Sequence, residues 1–207
     1  MANFCSRDDV KLNTKIGATF TGYDSVIDNC ISLASSQVQN FCNRSFVEGV
    51  FTEYYHTIRP ETLQRIWLKE LNIKAIPALV IKLSYSNPYD WADVAPMSPS
   101  IYKIDSAKSI VTIFGTTAYA QDALQIVYSA GYPIVSGICQ VPDDVKKATA
   151  LQASYLLNSI LARELGQSAT KEGKNGTSRL DNDAVKGLVA QCRSMVANYR
   201  KLAIGCG

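Results

Sequence analysis

Histidine is all but missing from this chain. His56 is the only one among 207 residues, so a metal site built from several imidazoles is excluded. Cysteine is present but never closely paired: residues 5, 30, 42, 139, 192 and 206 form no Cys-x-x-Cys, and zinc binding lacks the adjacent soft ligands it needs. Cys30 and Cys42 fall on one expected helix, which sets them ~18 Å apart, beyond the reach of a disulfide. The cysteines therefore read as reduced, mostly buried small hydrophobes. Long apolar runs are also missing. No stretch approaches about 18 uninterrupted apolar residues, and no membrane span is expected. An excess of either charge is missing too: the net is only +3, which indicates neither a strongly basic nucleic-acid binder nor a polyacidic tail. The opening MANFCSRDDVKLNT has no basic segment followed by an apolar run. The expectation is a chain without a secretory signal that matures where it is made.

What the chain does have is an ordinary globular balance, 47% apolar and 19% charged residues. That is enough to bury a core in one domain, or in one domain with an appendage. Ser6 followed by Asp9 marks a helix start for residues 6–12, and residues 13–22 read as a loop. From Tyr23 to Cys42 an apolar stripe recurs at helical spacing: Ile27, Cys30, Ile31, Ala34, Val38, Phe41 and Cys42. Asp24 stands in its first turn, where the helix dipole favours negative charge, and Asn43-Arg44 ends it. Between 46 and 130 the pattern becomes that of strands. These are 50–55, 63–68 with Ile66 and Leu68 on one face, 78–83, and 101–104 with 109–114 spaced as a hairpin. A last strand, 124–128, is broken by Gly131-Tyr132-Pro133. Residues 86–99 hold Asn87-Pro88, Pro96 and Pro99 and read as a long exposed loop.

Two helices are expected to close the chain. Pro142 with Asp143 and Asp144 opens the first, which runs to about Leu165. Its Val145, Ala148, Leu151, Tyr155, Leu156, Ile160 and Leu161 lie on more than one side and require neighbours on several faces. Residues 166–180 are rich in Gly, Ser, Thr and Lys and read as a mobile linker. Asp181 or Asn182 caps a final helix to about Leu202. There Val185, Leu188, Val189, Cys192, Met195, Val196, Tyr199 and Leu202 fit near-heptad spacing, while Lys186, Arg193, Arg200 and Lys201 occupy the other faces. A long amphipathic helix on a tether has to dock on its own domain or on a partner. The expected fold is α+β: a helical bundle packed with a small, mostly antiparallel sheet, plus a tethered C-terminal helix. Its expected organisation is a core over 1–165, a linker over 166–180, and a C-terminal helix and tail over 181–207.

No catalytic or metal-ligating constellation emerges, and no cofactor is expected. His56 lies in a strand beside Tyr54 and Tyr55, with no Ser or Cys elbow to serve as nucleophile, so it reads as a half-exposed strand residue rather than a general base. The pairs Asp8-Asp9 and Asp143-Asp144 each begin a helix, and helix electrostatics account for them. Gly173 and Gly176 lie in EGKNGTS, which lacks the strand and helix that flank a phosphate loop. Tyr54, Tyr55, Trp67, Tyr85, Tyr89 and Trp91 are not interleaved with a basic cluster. Core packing or subunit contact is expected of them rather than base stacking. Arg163, Lys171, Lys174 and Arg179 bracket the linker and read as a solvated segment.

Three ordered strings carry a resemblance. The amphipathic helix ends in VQNFCNRSF, with Phe41, Asn43, Arg44, Ser45 and Phe46. A later strand ends in Val127, Tyr128, Ser129, Ala130, Gly131 and Tyr132, and the next helix opens with Val141, Pro142, Val145, Lys146 or Lys147, and Ala148. Over roughly residues 6–165 this order resembles the head–tail connector family of tailed bacteriophages, the adaptor or head-completion proteins. The ending YRKLA resembles that family's C-terminal Tyr-Arg. The segment 84–100 and the linker are longer than in compact members.

The resemblance implies a non-catalytic subunit of the virion neck, made in the host bacterial cytoplasm and without a membrane partner. Copies form a ring, usually of twelve, bound under the portal protein. The ring extends the channel through which packaged DNA passes without sequence-specific binding, and it offers a platform to the next neck or tail protein. The family's C-terminal segment meets the portal. Together with the stripe, this implies portal binding by Val185, Leu188, Cys192, Arg193, Met195, Tyr199, Arg200, Lys201 and Leu202. The alternatives are a stopper or tail-completion protein of the same neck, generally more β-dominated, and a nucleic-acid-binding module, which would bind DNA with a steep salt dependence.

Overall fold

The computed structural model describes residues 2–14, 16–17, 19–57, 63–74, 79–84, 91–106, 108–115, 120–164 and 187–200. The fold is α+β, with four α-helices among these residues and small antiparallel sheets. The chain divides into a helical unit, Met1–Arg44 with Ile134–Gly207, and a β unit, Ser45–Pro133. The β unit is thus inserted along the chain between two halves of the helical one.

In the helical unit, α1 (Arg7–Thr14) begins as the Ser6/Asp9 spacing predicts. The Ser6 amide donates to Asp9 Oδ2 at 2.8 Å and the Asp9 amide donates to Ser6 Oγ at 3.2 Å. This is a reciprocal capping box with Asp in the usual place of Glu. Helix α2 (Asp24–Cys42) buries Ile27, Cys30, Ile31, Ala34, Ser35, Val38 and Cys42, the predicted stripe. It stops at Asn43, whose φ of 51° is left-handed, and the Arg44 amide reaches back to the Gln39 carbonyl, the closure expected where a helix ends in such a residue. Helix α3 (Asp143–Glu164) packs against α1, α2 and α4 (Ala190–Val196). Contact on several sides explains why its pattern has no single apolar face and why Thr149, Gln152 and Ser154 are buried along with Val145, Ala148 and Leu157. Thr149 and Ser154 satisfy their hydroxyls on carbonyls one turn back, those of Val145 and Ala150.

Two elements of this unit differ from expectation. Strands β7 (Ile134–Val135) and β8 (Ile138–Cys139) form a small hairpin that two-residue strands do not announce in sequence. The final helix starts at Ala190, with residues 187–189 non-helical, and becomes a 3-10 turn over Ala197–Tyr199 rather than running from 181 to 202. The cause lies in α3. The fully buried Gln152 side chain accepts the Val189 amide at 3.0 Å and donates to the Gly187 carbonyl at 3.0 Å, so those backbone groups are bonded outside any helix. Residues 165–186 and 201–207, including the predicted linker, lie outside the described residues.

The β unit holds two three-stranded antiparallel sheets. One has β6 (Ala120–Ala130) between β1 (Gly49–Thr57) and β3 (Val80–Leu83); the other has β5 (Ile110–Phe114) between β2 (Leu63–Trp67) and β4 (Tyr102–Asp105). They share one core of Ile66, Leu68, Ile81, Val111, Ile113, Leu124, Ile126 and Tyr128. The predicted β4–β5 hairpin forms, Ile104 facing Val111. The last strand is longer than 124–128, because β6 partners two strands at once. Of the predicted loop at 86–99, residues 91–99 are described. Trp91 lies against Tyr54 with ring centroids 6.0 Å apart, and the Met97 amide donates to the Ile81 carbonyl at 2.7 Å, so this end of the loop is pinned to β3.

The chain enters and leaves the β unit side by side. Val47 bridges Tyr132 in parallel, and the Tyr132 amide donates to the Phe46 carbonyl at 2.8 Å. Between them Gly131, at φ +98°, would place a Cβ 2.5 Å from the Val47 carbonyl oxygen, so only glycine fits. The Phe46 and Gly131-Tyr132 strings singled out in sequence meet here.

Candidate functional surfaces

Glu53 gathers several polar groups of the β unit. It lies opposite Ile126 on the same side of β1 as the core residues Phe51 and Tyr55. Its carboxylate accepts the hydroxyls of Tyr55 and Tyr128 and the Lys69 amide, the last at 3.0 Å. Burial and the adjacent carboxylate push both phenols well above their usual range. Every oxygen is committed, and the cluster works as a fastener between strands. His56, at 45% side-chain exposure, is half-exposed as predicted. Its Nδ1 lies 2.9 Å from the Asp122 amide nitrogen and 3.5 Å from Asp122 Oδ1. Asp122 has φ 48° where the β1–β6 register slips, so His56 fastens an irregularity in the ladder.

Cys5, Cys30, Cys42, Cys139 and Cys192 are free and buried. Burial pushes the Cys5 thiol up to about 12 and those of Cys30, Cys42 and Cys192 to about 11, so they stay protonated at neutral pH. Among the described residues no group of three or more His, Cys, Asp or Glu could hold a metal. Asp8-Asp9 and Asp143-Asp144 open α1 and α3, as their positions predict.

The residues singled out for portal contact divide. Leu188 and Cys192 are buried, together with Val189 and Val196, and Cys42 Sγ lies 3.8 Å from the Val196 carbonyl. They seat α4 on its own unit. Arg193 and Arg200 are exposed, and Met195 and Tyr199 partly so; the Arg200 guanidinium stands 5.1 Å over the Phe41 ring. Val185, Lys201 and Leu202 lie outside the described residues.

A second surface was hidden in sequence. The outer face of β2–β5–β4 forms a trough of about 410 Å³. Its register gives three rows: Leu63 beside Phe114; Arg65, Thr112 and Lys103 abreast; Trp67, Ile110 and Asp105 abreast. Lys108, from the turn, lines it too. Trp67 is 56% exposed and Phe114 43%, so large apolar groups lie uncovered beside cations. Of the six aromatics that are not interleaved with a basic cluster in sequence, Trp67 acquires basic neighbours through the fold. Arg65 is two positions away on the same face, and strand pairing brings in Lys103 from 36 residues downstream.

No protein-family model matches the sequence, and no curated protein matches it. Solved structures do match the fold. One is a chain of the neck of an empty gene transfer agent particle, computed with C6 symmetry; another is a chain of the virion of the native gene transfer agent particle. Each aligns over 97% of this chain and 91% of that chain, at 13% sequence identity and a TM-score of 0.50.

Proposed function

We propose that the chain is a non-catalytic structural subunit of a phage-type neck, a head–tail connector. Copies form a ring, expected at twelve, under the portal protein; the ring lengthens the DNA channel and offers a platform to the next neck or tail protein. The observation that carries this reading is the extent of the fold likeness. It spans both units and nearly the whole of a chain found in the neck of a gene transfer agent particle, a phage-like assembly. The three ordered strings point the same way independently of that comparison. A twelve-fold ring also contains the six-fold axis stated for that neck. The four α-helices among the described residues favour a connector over a stopper or tail-completion protein. The site of action is the virion neck after synthesis in the host cytoplasm; no described helix is long and apolar enough to cross a membrane.

The portal-facing element in this reading is the C-terminal segment after the linker at 166–180. Leu188 and Cys192 hold it in place, and Arg193, Met195, Tyr199 and Arg200 supply the contact, with Val185, Lys201 and Leu202 in the flanking stretches. Truncation would remove the buried Leu188, Cys192 and Val196 and uncover the part of the helical unit they cover, so surface variants are the better test. Arg193→Glu with Arg200→Glu should abolish co-purification with the cognate portal protein while leaving the far-ultraviolet circular dichroism unchanged. Undiminished binding by the folded variant would remove α4 as the portal contact.

A further inference from the structure

We infer that the outer face of β2–β5–β4 is the seat of a second copy of this chain, and that what sits there is the end of the helical unit formed by the β7–β8 hairpin and the first turns of α1 and α3. The inference rests on the ring reading and names the surfaces by which the ring would close.

The sheet face is both apolar and positive. Leu63, Trp67, Ile110 and Phe114 line it with Arg65, Lys103 and Lys108, and Asp105 is its single carboxylate, three cations against one anion. The end of the helical unit has the opposite balance. Asn3 accepts the Cys139 amide at 2.8 Å and bridges Ile138, tying the hairpin to the segment that leads into α1. The hairpin itself leads into α3 four residues later. Asp9 and Lys146 meet at 3.3 Å and hold the first turns of α1 and α3 together. Ile134 and Val135, 49% and 53% exposed, therefore belong to the same end as Asp8, Asp9, Asp143 and Asp144, which outnumber Arg7, Lys146 and Lys147, and Arg7 is itself taken up by Asp24 and Asp28. Exposed aliphatic groups with a surplus of negative charge face, on another copy, exposed aromatic groups with a surplus of two positive ones.

Nucleic acid fits the sheet face less well. Asp105 stands in the trough and holds Lys108 at 3.7 Å, which leaves Arg65 and Lys103 as the only cations for phosphates. Leu63 and Ile110 offer no ring to a base. A Trp, a Phe and an Arg grouped on an apolar floor are the residues that anchor protein interfaces. A patch that fits a different patch on the same chain makes a head-to-tail contact, the kind that closes into a cyclic ring.

Engineered disulfides test the pairing. Thr112→Cys lies at the centre of the face and Val135→Cys on the hairpin; with Cys206→Ser, and with the five described native thiols buried, background reaction is low. Under mild oxidation at high protein concentration, the doubly substituted chain should give a ladder of covalent oligomers. The two single variants mixed should give dimers only, and neither should react alone. Arg65→Glu with Lys103→Glu should lower the yield about tenfold or more, and adding Asp143→Lys with Asp144→Lys should restore it. Three results would overturn the inference: no cross-link between folded variants, self-dimers of Thr112→Cys alone, or salt-dependent binding of a labelled oligothymidylate that Arg65→Glu abolishes. Portal co-purification separates this contact from the neck reading. Portal binding without cross-links removes the contact alone, and cross-links without portal binding remove the neck.

Discussion

A methyl group at position 131 would sit 2.5 Å from the Val47 carbonyl oxygen and 2.6 Å from its carbon, on a residue already at φ +98°. Gly131→Ala is therefore expected to cost about 2–4 kcal/mol, seen as a lower denaturant midpoint with an unchanged slope. An unshifted midpoint would mean that the backbone yields. Gln152 is the corresponding residue of the helical unit. Gln152→Leu keeps the volume but leaves the buried Val189 amide and the Gly187 carbonyl without that partner. The expected loss is roughly 1–3 kcal/mol, with faster hydrogen exchange at Val189. Neither role is legible beforehand. In sequence Gly131 reads as a strand breaker, but the reason only glycine fits lies in Val47, 84 residues earlier in the chain. Gln152 sits in a run of helix residues where nothing in the spacing says that its amide will face inward.

Helix α1 is only eight residues long, too short to persist alone in water, and charge fixes it to its neighbours. The buried Lys11 ammonium lies 2.8 Å from Asp24 Oδ1, and Arg7 reaches Asp24 and Asp28. The Lys11 hydrogen bond, followed by the charges of Lys11 and Arg7, holds the Asp24 carboxyl below the usual range. Partial burial raises Asp9, but hydrogen bonds from Ser6 and the Lys146 ammonium outweigh it, so this carboxyl too is lowered. Both groups are more acidic folded than unfolded. The stability they contribute is complete above the unfolded value of about 3.9 and drains away as pH falls through the folded ones. The thermal midpoint should accordingly fall as pH drops below about 4, and Asp24→Asn should flatten that dependence; a midpoint equally steep in the variant would rule out this linkage. The helices were legible because a stripe such as Ile27, Ile31, Ala34, Val38 repeats every turn and a capping box is local. Partnership between strands is not local. Val50 through Tyr55 announces a strand, but nothing in it names β6, some seventy residues on, as the neighbour. The same limit hid the sheet-face surface. Leu63, Arg65 and Trp67 share a side by simple alternation, whereas Lys103 joins them only through the β4–β5 register.

At the scale of the molecule, the fold is one unit interrupted by another, and each closes its own core. Replacing residues 46–132 by a short Gly-Ser linker should therefore leave a chain that keeps helical circular dichroism and unfolds cooperatively. A product with exposed apolar surface that binds a hydrophobic dye would show instead that the helices depend on the insert. The reason to expect survival is the adjacency of Val47 and Tyr132. To the helical unit, the whole β unit is a hairpin turn, a closed loop whose two ends lie a strand's spacing apart. Any module with ends that close could occupy the same position. Evolution is then free to recut the outline this unit shows to its surroundings, lengthening a strand or changing a loop, while the helices encoded on either side of it keep their packing.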